Sequence, residues 1–240
     1  MSASRAAAVA ALIGGIAAAC GPVVPAGGVR KNAASPATSA ATAQAPTTIT
    51  RPIELIPFLK TNDLSNFNTE RAEQSRFHVE DEVLHVKGGP GQIETNNEYA
   101  NFVLQLECKV NGDGLNSGVF FRALRTARGA GYESQIHNAF KGGDPTKPVD
   151  FGTGGIYRRQ PARRIIAEDR QWFTKTIVAD GPHMAVWVNG YQVSDWTDTR
   201  PPHENARNGL RLGPGAIAIQ GHDPTTDLSF RNFRVAELPR

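Results

Sequence analysis

The segment Asn101–Val110 alternates between apolar and polar side chains over most of its length, and this period of two residues strongly limits the possible fold. Successive side chains of an extended strand point to opposite faces. One face of the segment carries Phe102, Leu104, Leu106, Cys108 and Val110, and the other carries Gln105, Glu107 and Lys109. The pattern predicts a β-strand with its apolar face against a core.

Further short strands are predicted along the chain after about residue 50. Phe77–Val86, Trp172–Val178 and Leu228–Val235 have similar patterns. Asn189-Gly190 between two alternating runs is a strong signal for a tight hairpin turn. No stretch with a helical period and a convincing length follows residue 50. Many short strands separated by turns predict an all-β fold of the two-sheet sandwich type.

Two neighbouring strands, Asn116–Arg122 and Gly131–His137, place polar side chains where a site could form. Alternation predicts that Arg122 shares a face with Phe120. If the polar faces of both strands point the same way, one patch of sheet carries Arg122, Glu133, Gln135 and His137. The long, glycine-rich segment Asn138–Gly155 follows, and loops of this length are often functional.

The N-terminal residues have the pattern of an export signal. Residues 1–19 combine one basic residue, Arg5, with a short alanine-rich apolar run, which predicts a signal peptide. The small residues directly before Cys20 are similar to a bacterial lipobox and predict that Cys20 is lipidated. Plain cleavage near Ala19, with Cys20 free, is the alternative. We expect an exported protein, periplasmic or on the outer cell surface, anchored to the membrane through Cys20.

Residues 20–50 are rich in Ala, Pro, Thr and Ser, and from residue 21 onward this segment has no aromatic and no acidic residue. Such a segment cannot bury enough apolar surface to offset the entropy of ordering the chain, so it predicts a disordered linker. The folded domain is expected over residues 51–240. A formal net charge of only +3 gives no reason to expect a nucleic acid as partner.

Several sequence blocks follow one another through the predicted domain. They are Glu98–Glu107, Asn116–Arg122, Gly131–Ile136, Thr153–Tyr157, Val186–Gly190 with Asp195–Asp198, and Gly215–His222 with Phe230–Arg234. Together, over about Ile53–Leu238, they resemble the 3-keto-disaccharide hydrolase domain family, formerly a domain of unknown function. The resemblance implies a jelly-roll β-sandwich of the concanavalin A-like lectin/glucanase type.

The resemblance also implies an activity on glycosides that are already oxidised at C3. In that family a separate oxidoreductase makes the 3-keto sugar. The domain then cleaves the glycosidic bond by elimination, and water adds afterwards. The expected partners are therefore a carbohydrate substrate and a functionally linked sugar 3-oxidoreductase.

The acidic residues of the candidate strand fit elimination better than ordinary hydrolysis. Glucanases of this general fold carry acids at positions i, i+2 and i+4 of one strand, where this chain has Glu133, Gln135 and His137. Retaining hydrolysis needs two carboxyl groups about 5 Å apart, and this strand supplies one. A ketone at C3 acidifies the C2 proton, so one base suffices, and the enolate then needs a cation or hydrogen-bond donors.

Roles follow for the candidate residues. The predicted catalytic residues are Glu133 and His222 as alternative bases and Arg122 as the group that holds the enolate. His137 or a divalent metal ion is the alternative for that last role. The predicted sugar contacts are Gln135, Tyr157, Gln220 and Trp187. The predicted metal ligands are Glu133, His137 and His222.

Other interpretations of the same residues stay open. A structural ion pair with Glu133 is the alternative for Arg122, and the remaining histidines, His78, His85, His183 and His203, are interpreted as surface residues. A non-catalytic carbohydrate-binding surface lipoprotein on the same sandwich is the second functional hypothesis. A structural or adhesion lipoprotein is the third.

Overall fold

The computed structural model describes residues 54–57, 59, 62–205 and 207–239. The predicted signal peptide over residues 1–19, the lipidation site Cys20 and the linker over residues 20–50 lie outside the described residues. Strands and no helices occur in the described part of the chain. Within those residues, accordingly, there is no helix with the length and apolar character needed to cross a membrane.

The strands of the described residues are numbered in chain order. They are β1 (Ile56–Pro57), β2 (Phe67–Asn68), β3 (Arg76–Glu80), β4 (Val83–Lys87), β5 (Gly91–Tyr99), β6 (Phe102–Val110), β7 (Ser117–Ala123), β8 (Tyr132–Ile136), β9 (Phe173–Asp180), β10 (His183–Val188), β11 (Tyr191–Thr197), β12 (Gly215–Gly221) and β13 (Asp227–Glu237).

These strands form two antiparallel sheets. The large sheet has eight strands, in the order β11-β10-β9-β6-β13-β4-β3 with β1 paired to β13. The small sheet has five strands, in the order β2-β5-β12-β7-β8. Most neighbours are distant in sequence, so each sheet is held together by long-range pairing. The predicted all-β, two-sheet sandwich is confirmed.

One core lies between the two sheets. The apolar face of β6 that alternation predicted is fully buried, and the opposite face is partly exposed. The small sheet contributes Val119 and Phe121 from β7 and Ile217 and Ile219 from β12 to the same core. Burial of these side chains is the main force that holds the sheets face to face.

The outer face of the small sheet is also covered, which alternation alone did not predict. Every residue of β7 and β8 is buried. The segment after β8 folds back along that strand: Tyr157 N donates to Glu133 O and Gly154 N donates to Gln135 O, each at 2.9 Å. This pairing occupies the backbone groups at the edge of β8 and brings a long loop next to Glu133.

The predicted alternation of β7 fails at Arg122, and the prediction that Arg122 shares a face with Phe120 is wrong. The pairing of β7 with β12 shifts register here, and Arg122 has a left-handed φ of 47°. A bulge of this kind breaks the period of two residues. Phe120 consequently packs with Ala123 and Ala218 on the outer face, and the Arg122 side chain points elsewhere.

Candidate active site

Glu133 lies on the outer face of the small sheet, and its carboxyl group covers Gly118 of the neighbouring strand. Gly118 pairs with Gln135, two residues beyond Glu133. A Cβ atom on Gly118 would meet Oε1 of Glu133 and would lie 2.9 Å from its Cγ. Glycine at position 118 therefore makes the space in which this carboxyl group sits.

The Glu133 carboxyl group is buried without a partner. Its residue is 8% exposed, and no described residue donates a hydrogen bond to it or forms an ion pair with it. Burial raises the pKa of Glu133 to about 7, and the positive charge of Arg207 opposes that rise. A carboxyl group with this pKa can both accept and release a proton near neutral pH, as a general acid or base must.

A second glutamate on the same face has a different environment. Glu94 of β5 accepts a hydrogen bond of 2.6 Å from Gln92. Arg71 and Arg125 each lie 3.6 Å from its carboxylate oxygens. Glu94 is therefore neutralised by two guanidinium groups, whereas Glu133 keeps an uncommitted carboxyl group. Of these two glutamates, only Glu133 keeps a carboxyl group without a hydrogen bond or an ion pair among the described residues.

A cationic pocket opens above Glu133. Its polar lining includes Tyr157, Arg158, Arg159 and Arg207. The guanidinium of Arg158 lies 5.4 Å from the centre of the Tyr157 ring, and Arg207 Nε donates to Gly129 O at 2.6 Å. Arg159 also donates to the Arg207 carbonyl. The pocket thus surrounds one carboxyl group with guanidinium groups.

Asp150 brings a second carboxylate to the site from the long loop. Gln135 Nε2 donates to Asp150 Oδ2 at 2.7 Å, and Asn116 Nδ2 donates to the same oxygen at 2.9 Å. The negative charge of Asp150 contributes to the raised pKa of Glu133. Asp150 and Phe151 both have positive φ values, 46° and 68°, and such backbone strain is concentrated at functional sites.

Four buried side-chain polar atoms have no hydrogen-bond partner among the described residues. They are Asn116 Oδ1, Ser134 Oγ, His137 Nδ1 and Gln220 Oε1. Gln220 is in β12, Asn116 directly precedes β7 and His137 directly follows β8, and these three strands are neighbours. Buried polar groups are normally paired, so the unpaired atoms of Asn116, His137 and Gln220 are candidates for contact with the hydroxyl groups of a ligand.

The structure brings several predicted residues together. Glu133 and Tyr157 line one pocket, and Gln135 lies beside them on the same strand as Glu133. The Gln135 amide is already bound to Asp150, so it positions that carboxylate. Gln220 lies on the same face, opposite Gln92 in the strand pairing.

Arg122 does not join this group. Its guanidinium donates to the carbonyl oxygens of Ala100, Gly181 and Arg211 at 2.6 to 2.7 Å, and to Asn101 Oδ1 at 3.2 Å. Neither the predicted catalytic contact nor the alternative ion pair with Glu133 is formed. Because its donors bind carbonyl groups in three separate loops, Arg122 links these loops at one end of the sandwich.

His222 and Trp187 also lie apart from the Glu133 pocket. His222 follows β12, its side chain is exposed, and its Nδ1 lies 2.8 Å from Asp223 Oδ2. Trp187 belongs to β10 of the large sheet, whereas Glu133 belongs to the small one. Glu133, His137 and His222 do not bring their ligand atoms within 4.8 Å of one another. The predicted donor set therefore does not fit a divalent metal ion at this site.

Lys175 is a buried residue behind the site that sequence reasoning did not single out. It projects from β9 of the large sheet, and its Nζ donates to Ser134 O at 3.0 Å and Gln135 O at 2.7 Å. Burial lowers the pKa of Lys175 to about 7. The sequence signal was a lysine at a core-facing position between Phe173 and Ile177. Asp150 and Arg207 left no such signal, because both lie in loops.

Comparisons with known proteins agree with this architecture. The family model of the 3-keto-alpha-glucoside-1,2-lyase-like domain matches residues 56–236. A comparison with curated proteins found no match.

Solved structures with the same fold include proteins related to carbohydrates. A proposed glycosyl hydrolase from Parabacteroides distasonis is 26% identical with a TM-score of 0.61, over 77% of this chain and 100% of that one. The carbohydrate-binding module CBM66 from Bacillus subtilis is 14% identical with a TM-score of 0.53, over 72% and 97%. Laminarinase from Flavobacterium sp. UMI-01 is 14% identical with a TM-score of 0.50, over 75% and 97%.

Proposed function

Because this chain belongs to the 3-keto-alpha-glucoside-1,2-lyase-like domain family, we propose that it cleaves glycosides whose sugar ring carries a ketone at C3. The observation that carries the proposal is the buried, unpaired carboxyl group of Glu133, whose pKa burial raises to about 7. A single base with this pKa is what removal of an acidified C–H proton at neutral pH requires.

In the proposed reaction Glu133 takes the proton from C2 of the 3-keto sugar. The electron pair of that C–H bond forms a C2–C3 double bond, and negative charge collects on the C3 oxygen as an enolate. When the enolate collapses back to the ketone, a C1–C2 double bond forms and the C1–O bond of the glycoside breaks. The leaving alkoxide takes up one proton, which balances the proton removed from C2 and gives the alcohol. Water then adds across the C1–C2 double bond, which gives net hydrolysis.

Arginine side chains of the pocket replace Arg122 as the proposed stabilisers of the enolate. Arg207 and Arg158 line the same pocket as Glu133, and Arg207 exerts the largest charge effect on that carboxyl group. Fixed donors aimed at developing negative charge lower the barrier of such a step, and removal of one typically costs about 10²–10³ in kcat.

The sugar hydroxyl groups are assigned to three of the buried polar atoms without partners, Asn116 Oδ1, His137 Nδ1 and Gln220 Oε1. A hydroxyl group both donates and accepts, so it can pair with any of them. The ring of Tyr157 adds an aromatic surface at the rim, where stacking on a sugar is possible.

The test compares one glycoside before and after oxidation at C3, incubated with the purified full chain. We expect release of the aglycone from the oxidised compound only. Release from neither compound, with binding retained, would favour the alternative of a non-catalytic carbohydrate-binding protein. Release from the unoxidised compound would favour ordinary hydrolysis.

Ordinary hydrolysis is a second candidate because the structure supplies a second carboxylate. Asp150, held by Gln135 and Asn116, would act as nucleophile or base, and Glu133 with its raised pKa as the acid. Asp150→Asn separates the two reactions. It removes the nucleophile of hydrolysis, whereas elimination by Glu133 continues.

The direction of the pH profile gives an independent prediction. A general base must be deprotonated, so kcat/KM for the 3-keto-glycoside is expected to rise through pH 7, following the pKa of about 7 for Glu133. If Glu133 acted as a general acid, kcat/KM would fall through the same pH. Rates measured between pH 5 and 9 decide between these roles.

The proposed setting is outside the cytoplasm, with a sugar 3-oxidoreductase supplying the ketone. Support for export and for anchoring at Cys20 comes from the composition of residues 1–20. Recovery of a lipid-modified chain in the membrane fraction would agree with this proposal, and recovery of the uncleaved chain in the cytoplasm would contradict it.

A further inference from the structure

A cluster of two imidazoles and a carboxylate lies on the β3–β4 hairpin at one edge of the large sheet. His78 and His85 are paired directly across the two strands, and Glu80 lies two residues after His78, which puts it on the same face. The ligand atoms of these three residues all lie within 4.8 Å of one another. No other group of His, Cys, Asp or Glu side chains among the described residues meets this condition.

The side chains of His78, Glu80 and His85 bring their ligand atoms close to one another in a place that solvent can reach. The rings of His78 and His85 are stacked, with centres 4.7 Å apart and planes at 15°. His78 and Glu80 are exposed and His85 is half-buried, so an ion from solvent can reach all three. Zinc bonds of roughly 2.0–2.2 Å to nitrogen and oxygen place neighbouring ligands about 3.3–3.5 Å apart. Small side-chain rotations close the remaining gap.

The backbone and one neighbouring hydroxyl group hold the cluster in place. Asp81 and Glu82 form a two-residue turn with φ values of 49° and 60°, as in the type I′ turns that fit a tight hairpin. The turn fixes the register that puts His78 opposite His85. Ser229 Oγ lies 3.3 Å from His85 Nδ1, which orients that ring and leaves its Nε2 available as a ligand.

We propose that His78, Glu80 and His85 bind a divalent transition-metal ion, with Zn²⁺ as the natural occupant of a two-histidine, one-carboxylate site. The site has three protein ligands, and solvent completes the coordination. It lies on the large sheet, whereas Glu133 and its pocket belong to the small sheet. The metal stabilises the β3–β4 hairpin at the sheet edge and takes no part in the proposed reaction.

The experiment is a titration of the untagged full chain with ZnCl₂ by calorimetry, together with melting curves with and without the ion. We expect one bound Zn²⁺ and a higher Tm in its presence. Glu80→Gln is expected to weaken binding by about tenfold or more, and the double variant His78→Ala/His85→Ala to abolish it. His203→Ala, an exposed histidine outside the cluster, is the matched control and keeps wild-type affinity.

Two results would overturn the proposal. One is the absence of Zn²⁺ binding by the wild-type chain, and the other is undiminished binding by the double variant. Cleavage of a 3-keto-glycoside by the double variant provides a separate readout. It is expected to equal that of the wild type, so a failure of the metal proposal stays distinguishable from a failure of the proposed function.

Discussion

Glu133→Gln is expected to lower kcat for a 3-keto-glycoside by about 10²–10⁴-fold, because glutamine keeps the shape of the side chain but cannot accept the C2 proton. The same variant is expected to be more stable than the wild type at pH 8. Burial raises the pKa of Glu133 from 4.5 to about 7, so between these values the folded state holds one proton more than the unfolded state. The free energy of unfolding therefore falls as pH rises through this window.

A gain in stability would show that the lost activity of Glu133→Gln is not caused by unfolding. Above pH 7 the wild type carries the full cost of a buried carboxylate, about 3 kcal/mol, and glutamine carries none. Urea unfolding at pH 8 and steady-state kinetics measure the two effects. Glu168→Gln, at an exposed position, is the control and should change neither. A Glu133→Gln variant with wild-type kcat would remove this residue from the proposed reaction.

Replacement of Lys175 by methionine is expected to change how stability depends on pH. Burial lowers the pKa of Lys175 from 10.5 to about 7. Between these values the unfolded chain binds one proton more than the folded chain, so the free energy of unfolding of the wild type rises with pH. Methionine does not titrate. From pH 7.5 to pH 9.5 the wild type should gain about 2–3 kcal/mol relative to Lys175→Met, at about 1.4 kcal/mol per pH unit.

Urea unfolding of both proteins at the two pH values measures this difference. Lys141→Met, which removes an exposed lysine, is the control and should leave the pH dependence unchanged. A constant difference between wild type and Lys175→Met would mean that the lysine titrates alike in the folded and unfolded chains. At pH 7 or below the wild type carries the whole cost of burying this charge, so Lys175 lowers the free energy of unfolding there.

The hydrogen bonds of Lys175 indicate what it does in the folded protein. Its ammonium group binds the carbonyl oxygens of Ser134 and Gln135, which are the two residues that follow Glu133 in β8. Glu133 is on the outer face of that strand, and Lys175 reaches the strand from the core. Glu133, the base of the proposed reaction, therefore lies on a strand whose backbone is hydrogen-bonded to a side chain of the opposite sheet.

The alternation of the sequence was sufficient to predict the sandwich and the inward face of β6, because a period of two residues is a local property of an extended chain. The same rule placed Glu133 and Gln135 together correctly. It failed at Arg122, where a register shift and a left-handed φ turn the side chain away. No local pattern reports a bulge whose partner strand is about a hundred residues away.

The sequence by itself determined the fold class, the core-facing residues of β6 and the position of the acid Glu133 on its strand. Only the tertiary structure decided what surrounds that acid. Asp150 and Arg207 come from loops, and they meet Glu133 only because long-range strand pairing folds those loops over one face of the small sheet. The raised pKa of Glu133 has the same origin, since it depends on burial and on charges that are distant along the chain.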